Sequence, residues 1–131
     1  MQAIANTKPR IWRYVEILLV ASWGSSLIAI LIFSIIPVSV PGGASDKVLH
    51  ALAFLVASAL TLMAFRQKRG ILIGLAVVVL VGVASETAQL VVPGRYASFL
   101  DLLADFVGVI LGIPIGMLVA AWVSSFARRY G

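Results

Sequence analysis

The sequence of 131 residues has no cysteine and very little charge. Only 11% of the residues are Asp, Glu, Lys or Arg, against about 25% in soluble domains. Without cysteine there is no disulfide scaffold and no thiol catalysis. With so little charge beside 62% apolar residues and a mean hydropathy of +1.11, a soluble globular domain and a disordered chain are both excluded. What remains is an integral membrane protein, in which the rare polar residues carry most of the functional information. Acids are the scarcest charged class, five against ten basic residues. No nucleic-acid-binding motif accompanies that excess, and a nucleic-acid partner is not expected. The basic residues sit instead at the ends of apolar runs, where they report orientation.

A membrane-spanning helix needs about 20 mostly apolar residues. Four runs qualify, over about 17–36, 48–65, 71–92 and 99–126. Pro37, Pro41 and Gly42-Gly43 close the first, Arg66 to Gly70 the second, and Pro93-Gly94-Arg95 the third. None alternates with the period of a barrel strand. In lipid the backbone must satisfy its own hydrogen bonds, so the expected fold is all-α, one four-helix transmembrane domain over 1–131. The first run follows Lys8, Arg10 and Arg13, as a signal peptide would. It is longer than a signal core of about 7–15 residues, and it is kept as a helix.

Lys and Arg are unevenly divided between the two sides. The N-terminus, the second loop and the C-terminus hold eight of them, and the first and third loops hold only Lys47 and Arg95. The positive-inside rule then places both termini in the cytoplasm. The other two loops face outward.

Asp46, Lys47, His50, Glu86, Gln89, Arg95, Asp101 and Asp105 all fall at the outward ends of helices two, three and four. Glu86 lies six residues inside helix three, about 9 Å deep at 1.5 Å per residue. His50 is one turn into helix two and Asp105 two turns into helix four, so these three can meet at a similar depth. Glu86 and Gln89 share a face. Asp101, Asp105, Gly108 and Gly112 share another, and Gly108, Gly112 and Gly116 make two overlapping G-x-x-x-G steps, which let helices approach closely. The acids of helix four should therefore point into the bundle. Simpler roles exist for several of these residues. Ser45 or Asp46 can cap helix two. Ser98-x-x-Asp101 has the spacing of a capping box. Lys47 and Arg95 can meet lipid phosphates, and Trp12, Trp23 and Trp122 read as ordinary interface or core residues. Glu86, within a helix, has no capping role in this reading.

In order and spacing, Asp46-Lys47-x-x-His50-x-x-x-Phe54, Glu86-x-x-Gln89, Pro93-Gly94-Arg95 and Asp101-x-x-x-Asp105-x-x-Gly108 resemble the VanZ-like family. These are small bacterial membrane proteins named for a teicoplanin-resistance protein. The resemblance covers about 46–116, and helix one matches only as an apolar run. Asp105 stands where the family pattern usually has Asn. The resemblance implies a multi-pass protein of the bacterial cytoplasmic membrane that acts on the cell surface or its lipid-linked precursors and affects glycopeptide susceptibility. It supplies no reaction.

Three functions stay open. In the first, an anionic lipid or phosphate-bearing lipid-linked cell-wall precursor is bound or processed at an outward site of His50, Glu86, Arg95 and Asp101. There, His50, Glu86 and Asp101 are the candidate catalytic residues. Lys47, Gln89, Arg95, Asp46 and Asp105 are the candidate binding residues, with Arg95 gripping a phosphate through two parallel bonds. No cofactor is expected, and a metal-free ion-pair network is preferred to a divalent cation on His50, Glu86 and Asp101, because no local spacing fixes a coordination geometry. In the second, the network only fixes helix packing and presents a surface to an envelope protein or a second copy. The third, ion transport, requires an oligomer and a polar path that the inward half lacks. A binder or enzyme predicts an open cleft near Arg95 and Glu86; a scaffold predicts a closed one with every polar group paired.

Overall fold

The computed structural model describes residues 10–36 and 44–130. Lys8 and the loop with Pro37, Pro41 and Gly42-Gly43 lie outside the described residues, as does the Ser45 side chain and with it any capping by it. Four helices account for nearly all the rest: α1 (Arg10–Ile35), α2 (Ala44–Ala64), α3 (Lys68–Gln89) and α4 (Phe99–Tyr130). No strand occurs among the described residues. Each helix contains a stretch long and apolar enough to cross a membrane. Exposed Leu72, Leu80, Ile110, Leu118 and Trp122 show that the outer surface is built for lipid rather than water.

The helices extend past the apolar runs at several ends. α1 starts well before residue 17, and α4 runs to Tyr130. Charged residues there remain good helix formers, and at helix ends they reach the interface. α3 stops at Gln89, short of Val92, because the chain tightens into turns that hydrogen-bond three residues back: Leu90 to Thr87, Val91 to Ala88 and Val92 to Gln89. Gly94 then takes a positive φ of 82° and reverses the chain.

The tightest packing is α2 on α4, a parallel pair. A methyl group at Gly108 would fall on the Ala51 carbonyl, and one at Gly112 on the Leu55 carbonyl and the Ser58 hydroxyl. One at Gly116 would lie 2.7 Å from the Ala59 carbonyl oxygen. Each glycine advances four residues as its partner advances four, so the seam keeps one register. Ser58 crosses it, donating to the Val109 carbonyl at 3.3 Å. Phe54, Ala57, Val78, Leu27 and Val109 form the buried core beneath the polar end. α1 packs on α2 and α3 and, among the described residues, does not touch α4. Trp23 Nε1 ties it down by donating to Thr61 Oγ1 at 2.9 Å. Trp23 also meets the Phe65 ring edge-to-face, with centroids 5.1 Å apart.

Candidate functional site

The parallel register of α2 and α4 stacks a polar layer on the glycine seam. At the mouth, Lys47 Nζ lies 2.9 Å from Asp101 Oδ1. One turn deeper, His50 Nδ1 and Asp105 Oδ1 share a hydrogen bond of 2.9 Å. The glycines begin below. α3 brings in Glu86, whose Oε1 lies 4.0 Å from His50 Nδ1. Gly82, one turn along α3, leaves room for the Phe54 ring and for Asp105 Oδ2. The three residues expected at one depth are thus in one place.

The layer is dry. Gln89 and Asp105 are each 3% exposed, Asp101 4% and Glu86 9%. Three of its atoms are buried with no hydrogen-bond partner: Glu86 Oε1, Gln89 Nε2 and Asp105 Oδ2. Buried polar groups are rarely left so.

Two residues do work that the sequence reading did not assign. Glu86 Oε2 accepts the Ser98 backbone N–H at 3.1 Å. In a capping box, the acid three residues into the helix would take that proton. Ser98 still acts as an N-cap, its hydroxyl accepting the Leu100 N–H, two residues on, at 3.2 Å. Glu86 supplies the acid's half from α3, which frees Asp101 for Lys47. The expectation that Glu86 has no capping role is corrected, since it caps a helix other than its own. Arg95 closes the end of α1: Nε donates to the Ile36 carbonyl at 3.1 Å, and Nη2 to the Phe33 and Ile36 carbonyls at 2.8 and 2.7 Å. This satisfies C-terminal carbonyls that the helix cannot pair itself. Backbone N–H and C=O groups have no side-chain signature, so no spacing pointed to either contact.

A cavity of about 510 Å³ opens between α1, α2 and α3. Ala29, Ile30, Phe33, Leu49 and Ala53 give it apolar walls, while Asp46, His50, Gln89 and Arg95 stand at its polar end. The α1 contribution was missed. Ser26 and Ser34 also line the cavity and were the polar marks that α1 offered, although their hydroxyls bond back to Trp23 and Leu31 of their own helix.

His50 belongs to two groups of metal-capable side chains, one with Asp46 and Asp101 and one with Glu86 and Asp105. Within each, the donor atoms lie within 4.8 Å of one another. The set weighed from sequence, His50 with Glu86 and Asp101, is divided between them. His50 hydrogen-bonded to a buried carboxylate is also the arrangement that orients an imidazole for proton transfer.

The VanZ/LLP1 family model matches residues 5–121. The chain belongs to this family. The match reaches through α1, which in the sequence had been no more than an apolar run. No curated protein and no solved structure matches the chain significantly. Membership and four spanning helices make this VanZ/LLP1 protein a multi-pass membrane protein of the cell envelope.

Proposed function

We propose that this VanZ/LLP1 protein binds a lipid with a phosphate-bearing head group, the chain lying along α1 and the head group at the polar end of the cavity. The observation that carries this reading is the cavity itself, with apolar walls ending among Asp46, His50, Gln89 and Arg95. Arg95 Nη1 donates to none of the described residues and is left for a phosphate oxygen. α2 and α4 begin at this same end, so their N-terminal partial charges add to the attraction. Gln89 Nε2, a buried donor without a partner on a residue that lines the cavity, suits a layer completed by a ligand better than a closed scaffold. With both termini cytoplasmic, as the basic residues favour, the site faces the outer leaflet and lipid-linked wall precursors. A cysteine at Ala97 should then react with an impermeant thiol reagent added outside, and one at Gln67 should not.

Native mass spectrometry of detergent-purified protein tests the binding. The wild type should retain an anionic lipid, such as phosphatidylglycerol or a polyprenyl phosphate, at one per chain. Ala29→Phe, which fills the cavity, should fold and release it, and should fail to restore glycopeptide susceptibility to wild-type level in a deletion strain. Equal retention by both proteins rejects the reading.

A scaffold reading has one observation in its favour. Glu86 and Arg95 both bond to backbone and hold the ends of α4 and α1. If it holds, Ala29→Phe complements fully and Arg95 variants lose stability and phenotype together.

A further inference from the structure

The charges in the polar layer do not balance. Lys47 is paired with Asp101, and Arg95 points to the α1 carbonyls and forms no ion pair with the acids among the described residues. Among the described residues, that leaves two buried carboxylates, Glu86 and Asp105, with His50 as the one basic group paired with them. Even a protonated His50 answers only one of two carboxylates. An uncompensated carboxylate at this depth costs several kcal/mol, and such sites are met by a proton, a partner or a metal. Glu86 Oε1 and Asp105 Oδ2 have no partner of their own.

We propose that His50, Glu86 and Asp105 form a binding site for a divalent transition-metal ion. The three donors come from three helices, and the packed seam beneath them already holds two of those helices in register. Their atoms lie within 4.8 Å of one another. Donors on one ion with bonds of about 2.1 Å lie roughly 3.0–3.4 Å apart when adjacent, and about 4.2 Å when opposite. His50 and Asp105 already stand at 2.9 Å and His50 and Glu86 at 4.0 Å. Binding therefore asks for rotamer adjustment and no helix movement. The ion takes the place of the proton shared by His50 and Asp105, so binding releases protons. One imidazole with two carboxylates suits Mn2+ or Zn2+ better than Ca2+, which prefers six to eight oxygens, or Mg2+, which dehydrates reluctantly. Three protein ligands leave coordination positions for water or substrate. His50 is the ligand that lines the cavity. If the lipid reading also holds, the ion adds the positive charge that a phosphate at this acidic end needs; the ion itself does not depend on that reading.

The test uses the full chain, purified in detergent, stripped with a chelator and freed of lipid. Mn2+ alone is followed by electron paramagnetic resonance, and Zn2+ alone by calorimetry. The expected result is saturable binding of one ion per chain, with a melting temperature that rises with metal concentration. Asp105→Asn and Glu86→Gln, nearly isosteric, should weaken binding by at least tenfold. No saturable binding to the wild type overturns the proposal, whatever the variants do. So does binding lost in Asp101→Asn but kept in Glu86→Gln and Asp105→Asn, which would put the ion on the other side of His50. Because no lipid is present, failure here leaves the cavity's ligand to be decided by Ala29→Phe.

Discussion

The two sides of α2 are packed on opposite principles. Toward α4 it meets three glycines so closely that a single methyl group would collide with its backbone. Toward α1 it leaves a cavity of about 510 Å³, and there α1 is tied by the Trp23–Thr61 hydrogen bond and the Arg95 clasp. In lipid no hydrophobic force drives helices together, so association depends on close packing and on polar contacts. The seam uses the first and α1 the second. A helix held by a few polar contacts can stand off and leave room, whereas one held by backbone contact cannot. The polar layer sits between these regimes: the seam fixes His50 against Asp105, and the open side exposes His50 to the cavity.

The largest expected effect is at the seam. Gly112→Leu puts a branched side chain against the Ser58 hydroxyl and the Leu55 carbonyl, and the carbonyl cannot yield without moving a helix. Overpacking of this kind costs about 3 kcal/mol or more. The variant should melt well below wild type in the same detergent or fail to purify folded. An unchanged melting temperature would mean that α2 and α4 do not pack on this face.

On the open side the effects are smaller. Arg95→Ala removes three hydrogen bonds to the end of α1. Such bonds are partly wet here, and about 1–2 kcal/mol is expected rather than their full sum. Hydrogen exchange should then quicken at the Phe33–Ile36 end of α1 and stay slow in α4. Thr61→Val keeps shape but strands the Trp23 indole N–H, at about 1 kcal/mol. A shifted tryptophan emission should accompany the lower melting temperature, and an identical spectrum would deny the tie.

What could be foreseen divides along the same line. Four apolar runs give four helices because lipid allows the backbone no alternative, and the seam was legible because glycines four apart on one helix have few uses besides close approach. The faces of Asp101 and Asp105 followed from helical spacing alone. The open side was not legible. α1 shows little but apolar residues, its Ser26 and Ser34 bond back to their own helix and so did not set it apart as a cavity wall, and the acceptors for Arg95 are carbonyls that every residue has. Ser98-x-x-Asp101 suggested a local cap, but tertiary packing gave that task to Glu86, and pattern alone cannot reveal such an exchange of partners between helices.

The smallest expected effect, at Gly24, gives the sharpest test of the comparison when the same substitution is made on the other side, at Gly112. Gly112→Ala adds a single methyl group to the seam, where it meets backbone, and should cost about 1–3 kcal/mol. Gly24→Ala adds the same methyl group to α1, where nothing lies within 4 Å. There the better helix propensity of alanine is the one term left, so stability should hold or rise by up to about 0.5 kcal/mol. Thermal melts of the two variants beside wild type should therefore shift in opposite directions, or one should fall while the other stays. Equal losses would mean that α1 at Gly24 is packed as tightly as α4 at Gly112, and the contrast between the two sides of α2 would fail.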